Sequence, residues 1–183
     1  MTKTPMNRRE LMQTTVQSAV SLAALAGVLP TWARASEGPL PRAGSVLRLP
    51  QVTLLDGQLW MPADMAAKTL VVYWWASWCP FCAVQSPHIE ALWRAQKTNG
   101  LEVLALSIDK LPAHANAYIK TKGYSFPAGM LTPQVAKMLP KPRGLPVVVV
   151  VKVNDQDGRS GKVVFAEGGE MFPEDIEGLK KYI

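Results

Sequence analysis

Between residues 45 and 183, short and almost wholly apolar runs alternate with stretches whose apolar residues recur at helical spacing. Val46 to Leu55 alternates loosely and ends at Asp56-Gly57, a turn signal, before Gln58-Leu59-Trp60; this predicts a small hairpin ahead of the main sheet. Leu70 to Trp75 is β-rich and continuously apolar, as expected of a central strand covered on both faces. From Pro80 to about Thr98, Phe81, Val84, Ile89, Leu92 and Trp93 follow helical spacing, interrupted by Pro87 and closed by Asn99-Gly100. Leu101 to Ile108 predicts a second buried strand, and Ala113 to Lys122 a helix stopped at Gly123. Phe126 to Leu131 reads as a short strand and Pro133 to Leu139 as a short helix. Val147 to Val153 holds six valines and one lysine, a further strand. After a polar turn from Asn154 to Gly161, Lys162 to Ala166 pairs back and Pro173 to Ile183 closes the chain as a helix.

The order is β-β-β-α-β-α-β-α-β-β-α. Strands joined through helices need crossovers and so predict parallel pairs, while the last two strands predict an antiparallel hairpin. An α/β fold in three layers follows: a central mixed sheet, helices on both faces, and an added N-terminal β-hairpin.

Length and composition narrow the class. A chain of 183 residues suits one domain plus something short. With 19% charged and 48% hydrophobic residues it is neither disordered nor collagenous. The net charge of +6 is shared equally: residues 1–35 carry +3, and so does the remainder. No Lys/Arg stripe with interleaved aromatics is present to track a phosphate backbone, so nucleic acid is excluded as a partner.

Residues 1–35 read as a cleavable export signal. Lys3 to Arg9 forms a basic start, Val16 to Leu29 a weakly apolar run, and Ala33-Arg34-Ala35 a cleavage site. The run is too short for a stable membrane span. Arg8-Arg9-Glu10-Leu11-Met12 resembles the twin-arginine motif, which implies export to the periplasm by that route. Ser36 to Gly44 reads as a flexible linker, leaving residues 45–183 for the domain.

Export permits disulfides, yet Cys79 and Cys82 are the only cysteines. A bridge across so short a loop removes little chain entropy, so stapling does not account for the pair. Their setting does. A buried strand ends near Trp75, a short loop follows, and a helix begins at the first cysteine. Cys79 is thereby expected at a helix N-cap, exposed, where free N–H groups favour a thiolate. Pro80 suits the first helical turn because its missing N–H would be unpaired there anyway. Cys82, almost a turn later, is expected to face inward. Such asymmetry gives one thiol to attack a substrate disulfide and a shielded one to resolve the mixed disulfide.

Trp-Ala-Ser-Trp-Cys-Pro-Phe-Cys at 75–82, with Pro87 five residues on and Gly144-Leu145-Pro146 before the valine strand, resembles the thioredoxin superfamily. The likeness is greatest to its exported TlpA-like branch of ResA-like and cytochrome c maturation proteins, and it covers roughly residues 45–183. The resemblance implies a thioredoxin-like fold and a protein disulfide oxidoreductase. Cys79 would attack, Cys82 resolve, and Trp78 form a flat apolar wall beside the disulfide. Pro146 would be cis, shaping a groove where a substrate backbone pairs with Leu145, and Pro80 and Phe81 would complete the substrate-facing set. The redox-active disulfide would need no cofactor and no metal. Partners would be proteins bearing thiols or disulfides, with a membrane thiol–disulfide electron donor, and the protein itself would be a monomer.

Two departures stand out. Thioredoxin has a buried acid where Tyr73 stands here, and ResA-like proteins have a glutamate where Gln85 stands; either carboxylate could take the resolving thiol's proton. Two other functions remain open: a periplasmic dithiol oxidase, and a copper chaperone or binding module using the cysteine pair as ligands. The second is weakened because two cysteines supply half a tetrahedral site, with no further ligand at suitable spacing. His88 and His114 are expected at the surface. The basic run from Lys137 to Arg143, just ahead of Pro146, could attract an acidic partner.

Overall fold

The computed structural model describes residues 37–153 and 158–183; the expected export signal, the first linker residue and the tip of the 154–161 turn lie outside them. Among the described residues the chain forms β1 (Val46–Arg48), β2 (Val52–Thr53), β3 (Leu59–Trp60), β4 (Thr69–Trp75) and α1 (Pro80–Gln96). It continues through β5 (Leu101–Ser107), α2 (Pro112–Lys122), β6 (Ala128–Met130), α3 (Pro133–Met138), β7 (Val147–Val153), β8 (Ser160–Gly168) and α4 (Pro173–Glu177).

Six strands make the main sheet in the order β1-β8-β7-β4-β5-β6. β4, β5 and β6 run parallel, while β7 is antiparallel to β4, and β8 to β7. The sheet is mixed as the sequence predicts, but β7 departs from the parallel expectation. The connection through α3 carries the chain back past β5 to the other side of β4, where it enters in the opposite direction.

All seven residues of β4 are buried, because the sheet is covered on both faces. Val71, Tyr73 and Trp75 face a core shared with Ile89 and Leu92 of α1, Ala115 of α2 and Ile176 of α4. Leu70, Val72 and Trp74 face the other, shared with Val135, Leu139, Val52 and Trp60. The period of two along a strand thus sends adjacent tryptophans to opposite layers.

The N-terminal segment divides differently from the sequence expectation. β2 and β3 form the small hairpin, but β1 joins the main sheet as an edge strand against β8. Pro50, with no N–H to donate, stands between the two pairings. The linker's described part is tied down: Gly38 N–H donates to Lys141 C=O at 2.8 Å, and Glu37 pairs with Lys141 at 2.6 Å. α1 runs unbroken through Pro87, although a proline there removes one ladder hydrogen bond. The closing helix is shorter than expected, for α4 ends at Glu177 and a 3-10 turn from Gly178 to Tyr182 follows.

Candidate active site

The site forms where β4 hands over to α1. Trp75 C=O accepts from Ile108 N–H at 3.0 Å, fixing the end of β4 against the residues that follow β5. The chain then turns through Ala76, Ser77 and Trp78, and Asp109 holds that turn. Its carboxylate accepts from Ser77 N–H at 3.0 Å, from the Ser77 hydroxyl at 2.7 Å and from the Ser107 hydroxyl at 2.7 Å. A buried carboxylate with three donors is well satisfied. Sequence patterning missed Asp109, and no local signal could have shown it, since Ser77 lies 32 residues away.

Cys79 is the N-cap of α1, in extended backbone conformation, and Pro80 opens the helix. Cys79 Sγ accepts from Cys82 N–H at 3.3 Å, satisfying one of the free donors of the first turn. One expectation needs correction. Cys79 is not openly exposed: 5% of its surface remains, against none for Cys82. Capping turns the sulfur over the first helical turn instead of letting it project outward. The order of access between the two sulfurs is nevertheless the expected one. Both are free thiols here.

The environment of Cys82 is apolar and closed. Burial, followed by the hydrogen bond with Cys79, pushes its thiol up to about 12, against smaller opposing effects from the Ala76 backbone and the Tyr73 hydroxyl. Cys82 is therefore protonated at neutral pH. Tyr73 is wholly buried on the same face, its hydroxyl 3.0 Å from Ser86 Oγ, and Ser86 donates to Cys82 C=O at 2.7 Å. Burial, with the nearby Cys82 sulfur, raises the Tyr73 phenol well above its ordinary range, so it stays neutral.

Trp78, Pro80 and Phe81 are exposed around the cysteines. The remaining two residues arrive through the sheet. Trp74 is paired with Val147, so Pro146 lies level with the end of β4, beside the turn that leads to Cys79. The Leu145–Pro146 bond is cis, Pro146 is buried, and its C=O accepts from Gly169 N–H at 2.8 Å. Leu145 is half-buried, and among the described residues its backbone makes no hydrogen bond.

Gln85, the other departure, is buried with Oε1 accepting from Met171 N–H at 2.7 Å. It ties α1 to the loop that carries Gly169, and hence to Pro146. Of the basic run before Pro146, Lys141 is occupied by Glu37 and by Pro142 C=O, whereas Lys137 and Arg143 are exposed. His114 is exposed and His88 half-buried. Among the described residues, no three His, Cys, Asp or Glu side chains gather as a metal-binding group, and no helix is long and apolar enough to cross a membrane.

Comparison with known proteins gives a consistent family. The Redoxin family matches residues 43–139. Thiol-disulfide oxidoreductase ResA of Bacillus thuringiensis is 28% identical over 132 residues, covering 72% of this chain and 73% of that one. ResA of Bacillus anthracis matches to the same extent. A thiol:disulfide interchange protein of the thioredoxin family from Chlorobium tepidum superposes with a TM-score of 0.66 at 20% identity, covering 78% of this chain and 97% of that one. A secreted disulfide oxidoreductase of Mycobacterium tuberculosis, homologous to E. coli DsbE, superposes at 0.58 and 16% identity, covering 73% and 95%. These structures share the thioredoxin-like fold.

Proposed function

The chain belongs to the redoxin family and is a thiol–disulfide oxidoreductase, and from that premise we propose that it is a periplasmic reductase of exported proteins. The observation that carries the reading is the unequal pair: a capped Cys79 with residual access, over a Cys82 that is buried and protonated.

The Cys79 thiolate attacks one sulfur of a substrate disulfide, and the substrate's other sulfur leaves with the bonding electrons as a thiolate. Cys82 then gives up its proton, which that departed thiolate takes, and attacks Cys79 Sγ. The Cys79–substrate bond breaks and the second substrate sulfur leaves as a thiolate. The substrate gains two electrons, and the protein ends with a Cys79–Cys82 disulfide. No cofactor is required beyond the pair itself. Trp78, Pro80 and Phe81 supply the apolar rim, Pro146 bounds the groove without adding a donor, and the unpartnered Leu145 backbone accepts an extended substrate segment.

The periplasmic location rests on the export signal read at residues 1–35 and its twin-arginine pattern. The reducing direction rests on the resemblance to the TlpA-like branch carried by residues 75–82, Pro87 and residues 144–146, and it requires a membrane thiol donor to restore the dithiol. Insulin reduction by the purified protein tests the chemistry. Wild type should precipitate the insulin B chain, and Cys79→Ser should fall to the uncatalysed rate; undiminished activity in that variant would remove the assignment. Direction is read from cells, where a reductase stands mostly as the dithiol while its donor is present and an oxidase stands mostly as the disulfide.

A further inference from the structure

The resolving step poses a problem that the site itself answers. Cys82 must become a thiolate within a closed apolar environment, a costly change unless a donor meets the charge. The groups that act on its sulfur are Cys79 on the same helix, the Ala76 backbone in the preceding turn and the Tyr73 hydroxyl on β4, while the Tyr118 phenol on α2 lies near enough to feel its charge. None is a carboxylate. Tyr73 and Ser86 are both buried, 3.0 Å apart, and Ser86 also reaches Cys82 C=O at 2.7 Å.

We propose that the Tyr73 hydroxyl, steered by Ser86, donates the hydrogen bond that holds Cys82 as a thiolate during resolution of the mixed disulfide. This deepens the proposed function and rests on it. Two arrangements of the same hydroxyls make the donor available. With Cys82 as a thiol, Ser86 O–H points to Cys82 C=O and Tyr73 O–H points to Ser86 Oγ. As the proton leaves Cys82, Ser86 O–H turns to the Tyr73 oxygen and Tyr73 O–H turns to the sulfur. Neither hydroxyl loses its proton for good, which agrees with a phenol held neutral by burial. The Cys82 proton ends on the thiolate released by the first exchange, and the electron count is that of the mechanism above. In this arrangement Tyr73 is the residue that would meet the reacting sulfur, and Ser86, bonded to both Tyr73 and Cys82 C=O, is a positioning residue acting through it.

The test is rapid mixing of the reduced protein with a disulfide-linked peptide bearing a fluorescent reporter, which separates mixed-disulfide formation from its resolution. Tyr73→Phe keeps the ring and removes the hydroxyl. Its first phase should match the parent, while its second slows by about 10- to 100-fold, the worth of one hydrogen bond to a charged group. The second-phase pH profile should also move to higher pH. Ser86→Ala should slow the same phase less, and the double variant should be no slower than Tyr73→Phe, because the two act as a unit. An unchanged second phase in Tyr73→Phe, or an equal slowing of both phases, would overturn the inference while leaving the oxidoreductase standing. Should Tyr73→Phe fail to fold, an unchanged second phase in Ser86→Ala overturns it instead. A parent that exchanges no disulfide brings down the proposed function, and this inference with it.

Discussion

Two positions on α1 treat a buried ionisable group in opposite ways. At the N-terminal end Cys82 is closed off, and burial drives its thiol up to about 12. About two turns further on, Glu90 is also buried, but its carboxylate accepts from Ser125 N–H at 2.8 Å, the Ser125 hydroxyl at 2.6 Å, Phe126 N–H at 3.1 Å and Arg94 Nε at 2.5 Å. Burial pushes the Glu90 carboxyl up, yet these hydrogen bonds outweigh it and leave the group below the ordinary carboxylate range. One helix therefore carries a charge that is fully supported and a proton that is hard to remove. Support makes Glu90 a structural clamp between α1 and the chain entering β6. Withheld support keeps Cys82 silent until a mixed disulfide presents its target.

Removing the supported charge should have the largest effect. Glu90→Ala leaves the Ser125 and Phe126 N–H groups without their acceptor, and is expected to lower unfolding free energy by about 2–4 kcal/mol. Urea denaturation measures it, and disulfide exchange under native conditions should be little changed. A smaller stability loss, with a clear loss of exchange, is expected for Asp109→Ala. It removes the acceptor for Ser77 N–H and two hydroxyls, costing about 1–3 kcal/mol, and frees the turn that positions Cys79. Steady-state insulin reduction beside a melting curve checks it; normal activity in a destabilised protein would restrict Asp109 to structure.

The smallest and most diagnostic effect is in pH. Glu90 has a folded value below its unfolded one, so its stabilisation is present above the unfolded carboxyl value of about 4.3 and is lost as pH falls through the lower folded value. Cys82 has a folded value above its unfolded one. Its contribution is present below the unfolded thiol value of about 8.5 and is lost as pH rises towards about 12. Stability of the reduced protein should accordingly fall on both sides of neutrality. Glu90→Gln should flatten the acid limb and Cys82→Ala the alkaline one, with each variant leaving the other limb in place.

Much of this was legible in the chain. Leu70–Trp75 and Val147–Val153 announced themselves as central strands because burial on both faces demands continuous apolar runs. The Cys79–Pro80 junction after a strand marked the N-cap, since proline at the first turn and free N–H groups are local features. The hairpin was less clear, because Val46–Leu55 reads as one strand until the edge of β8 claims its first half. The direction of β7 was hidden as well, for neither its composition nor the length of its connection states which side of β4 it takes. Cys79 was expected in the open, and the extent of its cover depends on where its sulfur turns to find a donor.

What the sequence by itself determined is the set of local choices: strand against helix, the cap, the turn residues and the two sulfurs one helical turn apart. These depend on periodicity and on neighbours within a few positions. Only the tertiary structure decided what stands around those sulfurs. Tyr73 reached Ser86 across the sheet–helix interface, Asp109 gathered Ser77 and Ser107, and Gln85 tied α1 to the loop behind Pro146. Each of these joins residues from separate elements, and the direction of a hydrogen bond between them is fixed by packing that no stretch of local pattern encodes.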